Sequence, residues 1–227
     1  MSASSKQRDL PDLAPLINQA LLDPHLDQEA LQQACDAALH FGFAGLSTNL
    51  TRLTAARERL GPPGPTRLIA VIAFPFGAIP STLKQAEAEW AAAHGAEELD
   101  VVPDFWALSQ GRSEPFAEEL AKLCALGLPV GVILNMARLP ADSLAIAVDA
   151  AIDAGASAIQ TGNGFGPAVT AADVHQLANL ARGRCAIKAA GGLHTLEHSL
   201  ELVEAGATRI GTSRGPELMQ ALRLGQT

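Results

Sequence analysis

The chain contains no tyrosine, so any mechanism that relies on a phenol is excluded at the outset. Lysine is almost as scarce. Only Lys6, Lys84, Lys122 and Lys188 occur, and 16 Lys plus Arg against 24 Asp plus Glu leave a net charge of −8. A general nucleic-acid binder needs a basic face, so no nucleic-acid partner is expected, although a local pocket for a phosphate is compatible with this balance. No apolar run reaches the roughly 18 residues of a membrane helix, and the opening MSASSKQRDLPDL lacks the apolar stretch of a secretory signal. No membrane partner is expected either. The three cysteines, Cys35, Cys124 and Cys185, are far apart and odd in number. They suit a reducing cytoplasm better than a disulfide framework. What the chain does have is apolar bulk: 48% of its 227 residues are hydrophobic and 18% are charged, enough for a sizeable core and against disorder.

Apolar runs of strand length alternate with longer amphipathic stretches. The candidate strands are 14–17, 43–47, 67–73, 98–102, 130–134, 157–160, 185–188 and 208–211. Helical patterns cover 28–40, 50–60, 81–94, 115–126, 141–154, 172–181 and 196–205, and a short last helix follows Pro216. Eight β-then-α units in this length predict a single-domain TIM (β/α)8 barrel over residues 13–223, preceded by a polar tail, 1–12. A doubly wound sheet is the alternative, but it seldom needs eight strands so evenly spaced.

A regularity inside this pattern points to the site. Several helices end in Gly, as a left-handed C-cap requires, and a strand follows. Five residues after that Gly lie Ser47, Asp100, Gln160, Lys188 and Gly211, counted from Gly42, Gly95, Gly155, Gly183 and Gly206. Strand side chains alternate in direction, so these five share a register at the C-terminal ends of their strands, the face of a barrel that carries chemistry. Buried charges are rare unless paired or used, which singles out Asp100 and Lys188. Lys188 sits in the apolar stretch Cys185-Ala-Ile-Lys188-Ala-Ala-Gly-Gly192, and Asp100 is its natural partner. The other three lysines fall in a polar tail or on amphipathic helices and read as solvated.

Glycine-rich loops follow the last three strands: Thr161 to Gly166, Ala189 to Gly192, and Gly211 to Gly215. Glycine lets the backbone approach an anion, and successive N–H groups form a nest for it. Helix N-termini add positive dipole ends. Gly164, Gly191, Gly192, Gly211 and Ser213 are therefore candidate phosphate-binding residues, with Arg214 supplying formal charge. His194 and His198 stand four apart, but no third ligand accompanies them, so no metal is expected. The run from Gly162 to Gly166 lacks the acidic partner of a dinucleotide fingerprint, and no cofactor is expected. The sequence leaves open a homodimer or a protein partner.

Taken together, these residues resemble the deoxyribose-phosphate aldolase family of class I aldolases. The resemblance runs from Ile17-Asn-Gln-Ala-Leu-Leu22 to Gly206-Ala-Thr-Arg-Ile-Gly-Thr-Ser213. Its most specific stretches are Val71-Ile-Ala-Phe-Pro-Phe-Gly77, Glu98-Leu-Asp100-Val-Val102, Thr161 to Pro167 and Ile187-Lys-Ala-Ala-Gly-Gly192. It implies a TIM barrel, a phosphorylated sugar as ligand, and cleavage of 2-deoxyribose 5-phosphate to glyceraldehyde 3-phosphate and acetaldehyde through a lysine Schiff base, without a metal. By the same resemblance Asp100 and Lys188 serve proton transfer.

The resemblance fails at the centre of that chemistry. Where it implies the Schiff-base lysine, in Ile159-Gln160-Thr161-Gly162, this chain has Gln160. A carboxamide nitrogen is not nucleophilic, because its lone pair is delocalised. Gly131 stands where the family often has a further lysine, and Asn18, Ser47, Asn135, His194 and Arg214 are departures too. Two readings stay open. In one, the barrel binds a phosphorylated small molecule and has lost most or all of the retro-aldol activity. In the other, it is an active aldehyde-lyase with Lys188 as nucleophile and Asp100 in proton transfer.

Overall fold

In the computed structural model, which describes residues 12–225, eight parallel strands pair in sequence order and the last closes on the first. The strands are β1 (Ile17–Leu21), β2 (Gly45–Thr48), β3 (Arg67–Ile72), β4 (Glu98–Val101), β5 (Val130–Ile133), β6 (Ala158–Gln160), β7 (Ala186–Ala190) and β8 (Arg209–Thr212). Around them run α1 (Gln28–Phe41), α2 (Leu50–Leu60), α3 (Ser81–Ala93), α4 (Phe105–Ser109), α5 (Ser113–Cys124), α6 (Ala141–Asp153), α7 (Ala171–Ala181), α8 (Leu196–Glu204) and α9 (Gly215–Gly225). This is the TIM (β/α)8 barrel expected. Among the described residues, no helix is long and apolar enough to cross a membrane.

Local signals set these boundaries. Asp27 caps α1 through a bond from the Ala30 amide, and Thr170 with Asp173 forms a reciprocal capping box at α7. Gly42, Gly95, Gly155, Gly183 and Gly206 all have positive φ, which turns the chain from helix end to strand start. Strands β2 to β6 are buried along their length, apart from Arg67 at the start of β3, since helices cover one face and the barrel fills the other.

Three details differ from expectation. Residues 14–16 form a 3-10 turn, and β1 begins at Ile17. Pro15 has no N–H to give a ladder, and the Asp12 carboxylate accepts from the Ala14 amide to hold the turn. Of the predicted polar tail 1–12, residues 1–11 lie outside the described residues. The five-residue helix α4 has too little length to show a period in sequence, and α9 is 11 residues long, no shorter than α2 and α7.

The larger correction is Lys84, which is fully buried rather than solvated. Its Nζ lies 2.8 Å from Glu119 Oε1, and the same oxygen accepts from the Asp104 amide at 2.9 Å. One carboxylate thus joins α3, α5 and the loop that leaves β4 beyond Asp100. Removing one partner of a buried pair strands the other charge, at about 3–5 kcal/mol. Lys84→Ala is expected to lose stability on that scale in urea unfolding. The double replacement Lys84→Met with Glu119→Leu is expected to recover most of it, because no buried charge remains.

Candidate active site

Ser47, Asp100, Gln160, Lys188 and Gly211 line one cavity of about 1020 Å³ at the C-terminal mouth of the barrel. The register read from the glycine spacing therefore brings all five together. Gln160 and Lys188 are direct neighbours across β6 and β7. Lys188 Nζ bonds Asp100 Oδ2 at 2.5 Å, and both residues are 2% exposed. The pair is closed, and it bridges β4 to β7 across the interior.

Small residues make room for this bridge. A Cβ at Gly131, the β5 neighbour of Asp100, would lie 2.5 Å from Asp100 Oδ1. At Gly211 a Cβ would sit 3.2 Å from Lys188 Cε and 2.9 Å from the Ala190 methyl. Beneath the pair, Glu98 on β4 forms an ion pair with Arg209 on β8. Burial pushes the Glu98 carboxyl above its ordinary value of 4.5, and the nearby Asp100 charge pushes the same way, while Arg209 and Lys188 oppose both. The interior thus holds two cations and two anions from these four residues.

Gln160 is held by its own loop. Its Nε2 donates to the Gly162 carbonyl at 2.6 Å, and its Oε1 is buried without a partner. Asn18 Oδ1, Ser47 Oγ and Asp100 Oδ1 are likewise buried and unpartnered, and all four side chains line the cavity. The Thr161 hydroxyl donates to the Ala190 carbonyl and accepts from the Ala190 amide, which locks the end of β6 to β7. Cysteine chemistry has no place here. Burial raises all three thiols, Cys35 to about 11, and none lines the cavity.

The loops after β6, β7 and β8 border the same cavity. Gly164, Gly191, Gly192, Gly211 and Ser213 line it; Arg214 does not, and it is exposed. Sequence reasoning missed the residue that holds this loop. Gln19 Nε2 donates to the Ser213 carbonyl and Gln19 Oε1 accepts from the Gly215 amide, both at 3.0 Å, so a β1 side chain sets the course of the β8 loop. His194 lines the cavity, whereas His198 Nε2 lies 2.8 Å from the Val169 carbonyl, so the two imidazoles do not converge. On the far side Asn163 Nδ2 donates to the Pro75 carbonyl at 2.7 Å, and Phe165 packs edge-on against Phe74 and Phe76.

Comparison with known proteins gives a consistent result. The chain is 40% identical over 215 residues to the deoxyribose-phosphate aldolase of Thermosynechococcus vestitus, covering 94% of this chain and 99% of that one. It is 34% identical to the deoxyribose-phosphate aldolase of Thermococcus kodakarensis, over 92% of this chain and 96% of the other. Among solved structures, an aldolase superposes with a TM-score of 0.88 at 29% identity, over 95% and 99% of the two chains. The tetrameric deoxyribose-phosphate aldolase of Aeropyrum pernix gives 0.84 at 30%, over 93% and 91%. No family model matches the chain.

The raised Glu98 carboxyl has a defined stability signature. The folded state holds this proton more tightly than the unfolded chain, so its contribution is fully present below about 4.5 and is lost as pH rises through the folded-state value. Glu98→Gln cannot titrate. The stability of the native protein relative to Glu98→Gln is therefore expected to fall as pH is raised from 4.5, measured by urea unfolding at each pH. A difference independent of pH would contradict burial as the dominant cause.

Proposed function

We propose, from the premise that the chain belongs to the deoxyribose-phosphate aldolase family, that it binds a phosphorylated small sugar with most or all of the retro-aldol activity lost. The observation that carries this reading is the pairing at the cavity floor. Gln160, at the end of β6, has its amide tied to the Gly162 carbonyl, and the neighbouring Lys188 is closed onto Asp100. Schiff-base catalysis needs a neutral amine set against a carbonyl carbon. Gln160 offers none. Lys188 Nζ is already engaged in a close ion pair with Asp100. The glycine loops after β6, β7 and β8, with Ser213, remain available to an anion.

The second reading, an aldehyde-lyase with Lys188 as nucleophile and Asp100 in proton transfer, is favoured by one fact. Lys188 carries the one amine that lines the cavity among the described residues. Atoms balance in that scheme only if Lys188 first passes a proton to Asp100 or solvent, adds to the aldehyde carbon and expels water.

Two outcomes are expected. Incubation with 2-deoxyribose 5-phosphate or acetaldehyde followed by borohydride is expected to leave no stoichiometric adduct by mass spectrometry, and no cleavage above background. An adduct on Lys188, lost together with turnover in Lys188→Met, would establish the second reading. Separately, a phosphorylated sugar at a hundredfold excess over its dissociation constant is expected to add about 2.7 kcal/mol of stability, read as a rise in melting temperature. If millimolar phosphorylated sugars leave the melting temperature unmoved, the binding reading fails.

A further inference from the structure

Gln160 fixes the polarity of one part of the cavity floor. Its Nε2 donates to the Gly162 carbonyl at 2.6 Å. A carbonyl oxygen only accepts, so the amide cannot be turned round. Oε1 is left as an acceptor, buried and without a partner among the described residues. Asp100 Oδ1 is a second atom of this kind, because the Lys188 bond is made by Oδ2 and a carboxylate only accepts. Both side chains line the cavity.

The flanking strands supply few donors to these two oxygens. In register, Gln160 lies between Ile133 on β5 and Lys188 on β7, and Asp100 lies between Val71 on β3 and Gly131 on β5. Isoleucine, valine and glycine have no side-chain donor. Lys188 has three N–H groups, of which one meets Asp100 Oδ2. Asn18 and Ser47 also keep buried, unpartnered oxygens at the cavity. A serine hydroxyl rotates and an asparagine amide turns over, so these two adapt to either kind of ligand group.

The fixed part of the floor is therefore two acceptors beside one ammonium. A hydroxyl matches that set, since it donates to a carbonyl or carboxylate oxygen and accepts from Nζ. A carbonyl oxygen can only accept from Nζ, and it leaves Gln160 Oε1 and Asp100 Oδ1 unmet in a buried place, the expensive arrangement for a polar atom. It is also a poor replacement for water, which both donates and accepts.

We infer that Gln160 is a specificity-determining residue, through which the cavity takes the hydroxyl form of a phosphorylated sugar, an alcohol or a ring hemiacetal, in preference to the open carbonyl form. The inference rests on the reading that the cavity binds a phosphorylated sugar, and it adds the oxidation level at the floor. The group that a Schiff base needs is then the group that the floor discriminates against. Binding of this kind makes and breaks no covalent bond.

The test compares two probes that differ at one carbon. Xylulose 5-phosphate has an obligatory open carbonyl, because the oxygen that would close its ring carries the phosphate. Borohydride reduction converts it to two pentitol 5-phosphates of the same length and charge, which are separated and used singly. Calorimetric titration of the native protein is expected to show the better pentitol phosphate binding about fivefold or more tightly than the ketone, the worth of one net hydrogen bond. Gln160→Met keeps the length and removes the acceptor, and there the ratio is expected to fall towards one through weaker binding of the pentitol. Equal affinities in the native protein, or tighter binding of the ketone, overturn the inference while leaving the phosphorylated-sugar reading standing. A ratio that persists in folded Gln160→Met overturns the role given to Gln160. Should that variant not fold, Gln160→Leu takes its place in the same comparison. If neither the ketone nor the pentitols bind the native protein, the phosphorylated-sugar reading fails and this inference with it.

Discussion

The ion pair between Asp100 and Lys188 is the interaction on which the rest of the cavity depends. Two opposite charges taken out of water are stable only at close range with their surroundings arranged to suit. That requirement explains the empty positions around the pair. Gly131 leaves the Asp100 carboxylate its space, and Gly211 leaves the Lys188 chain its path. It also explains the second pair beneath, because Glu98 next to Asp100 would set two carboxylates together in the interior without Arg209 to balance them.

A barrel floor built in this way holds its charges in fixed opposition rather than in reserve. The neighbouring amide, Gln160, matches that character: neutral, tied to its own loop, and unable to form a covalent bond to a carbonyl carbon. Polar atoms nevertheless remain unpartnered on Asn18, Ser47, Asp100 and Gln160, and all four residues face one cavity. Polar groups buried without partners are unfavourable by roughly 1–3 kcal/mol each, and their clustering at one place is more readily understood in a binding cavity than in a core.

Much of this geometry was legible in sequence, for a physical reason. Five of the eight strands, β2, β4, β6, β7 and β8, begin three residues after a left-handed glycine, so counting five residues from Gly42, Gly95, Gly155, Gly183 or Gly206 lands on the same face each time. The pairing of Asp100 with Lys188 followed from the rarity of unpaired buried charge. What could not be read depended on partners far along the chain. Lys84 looks solvated on an amphipathic helix until Glu119 is placed against it, 35 residues away. The exposed place of Arg214 beside the cavity belongs to a loop held by Gln19, nearly the whole chain earlier. Pro15 moved the start of β1 by a local rule that an apolar run hides.

The space at Gly131 also bears on how such a chain changes over generations. Any side chain restored there meets the Asp100 carboxylate oxygen, since even the first carbon would lie 2.5 Å from it. A side chain there requires the Asp100 carboxylate to take another orientation towards Lys188, so what position 131 tolerates is set by two residues on other strands.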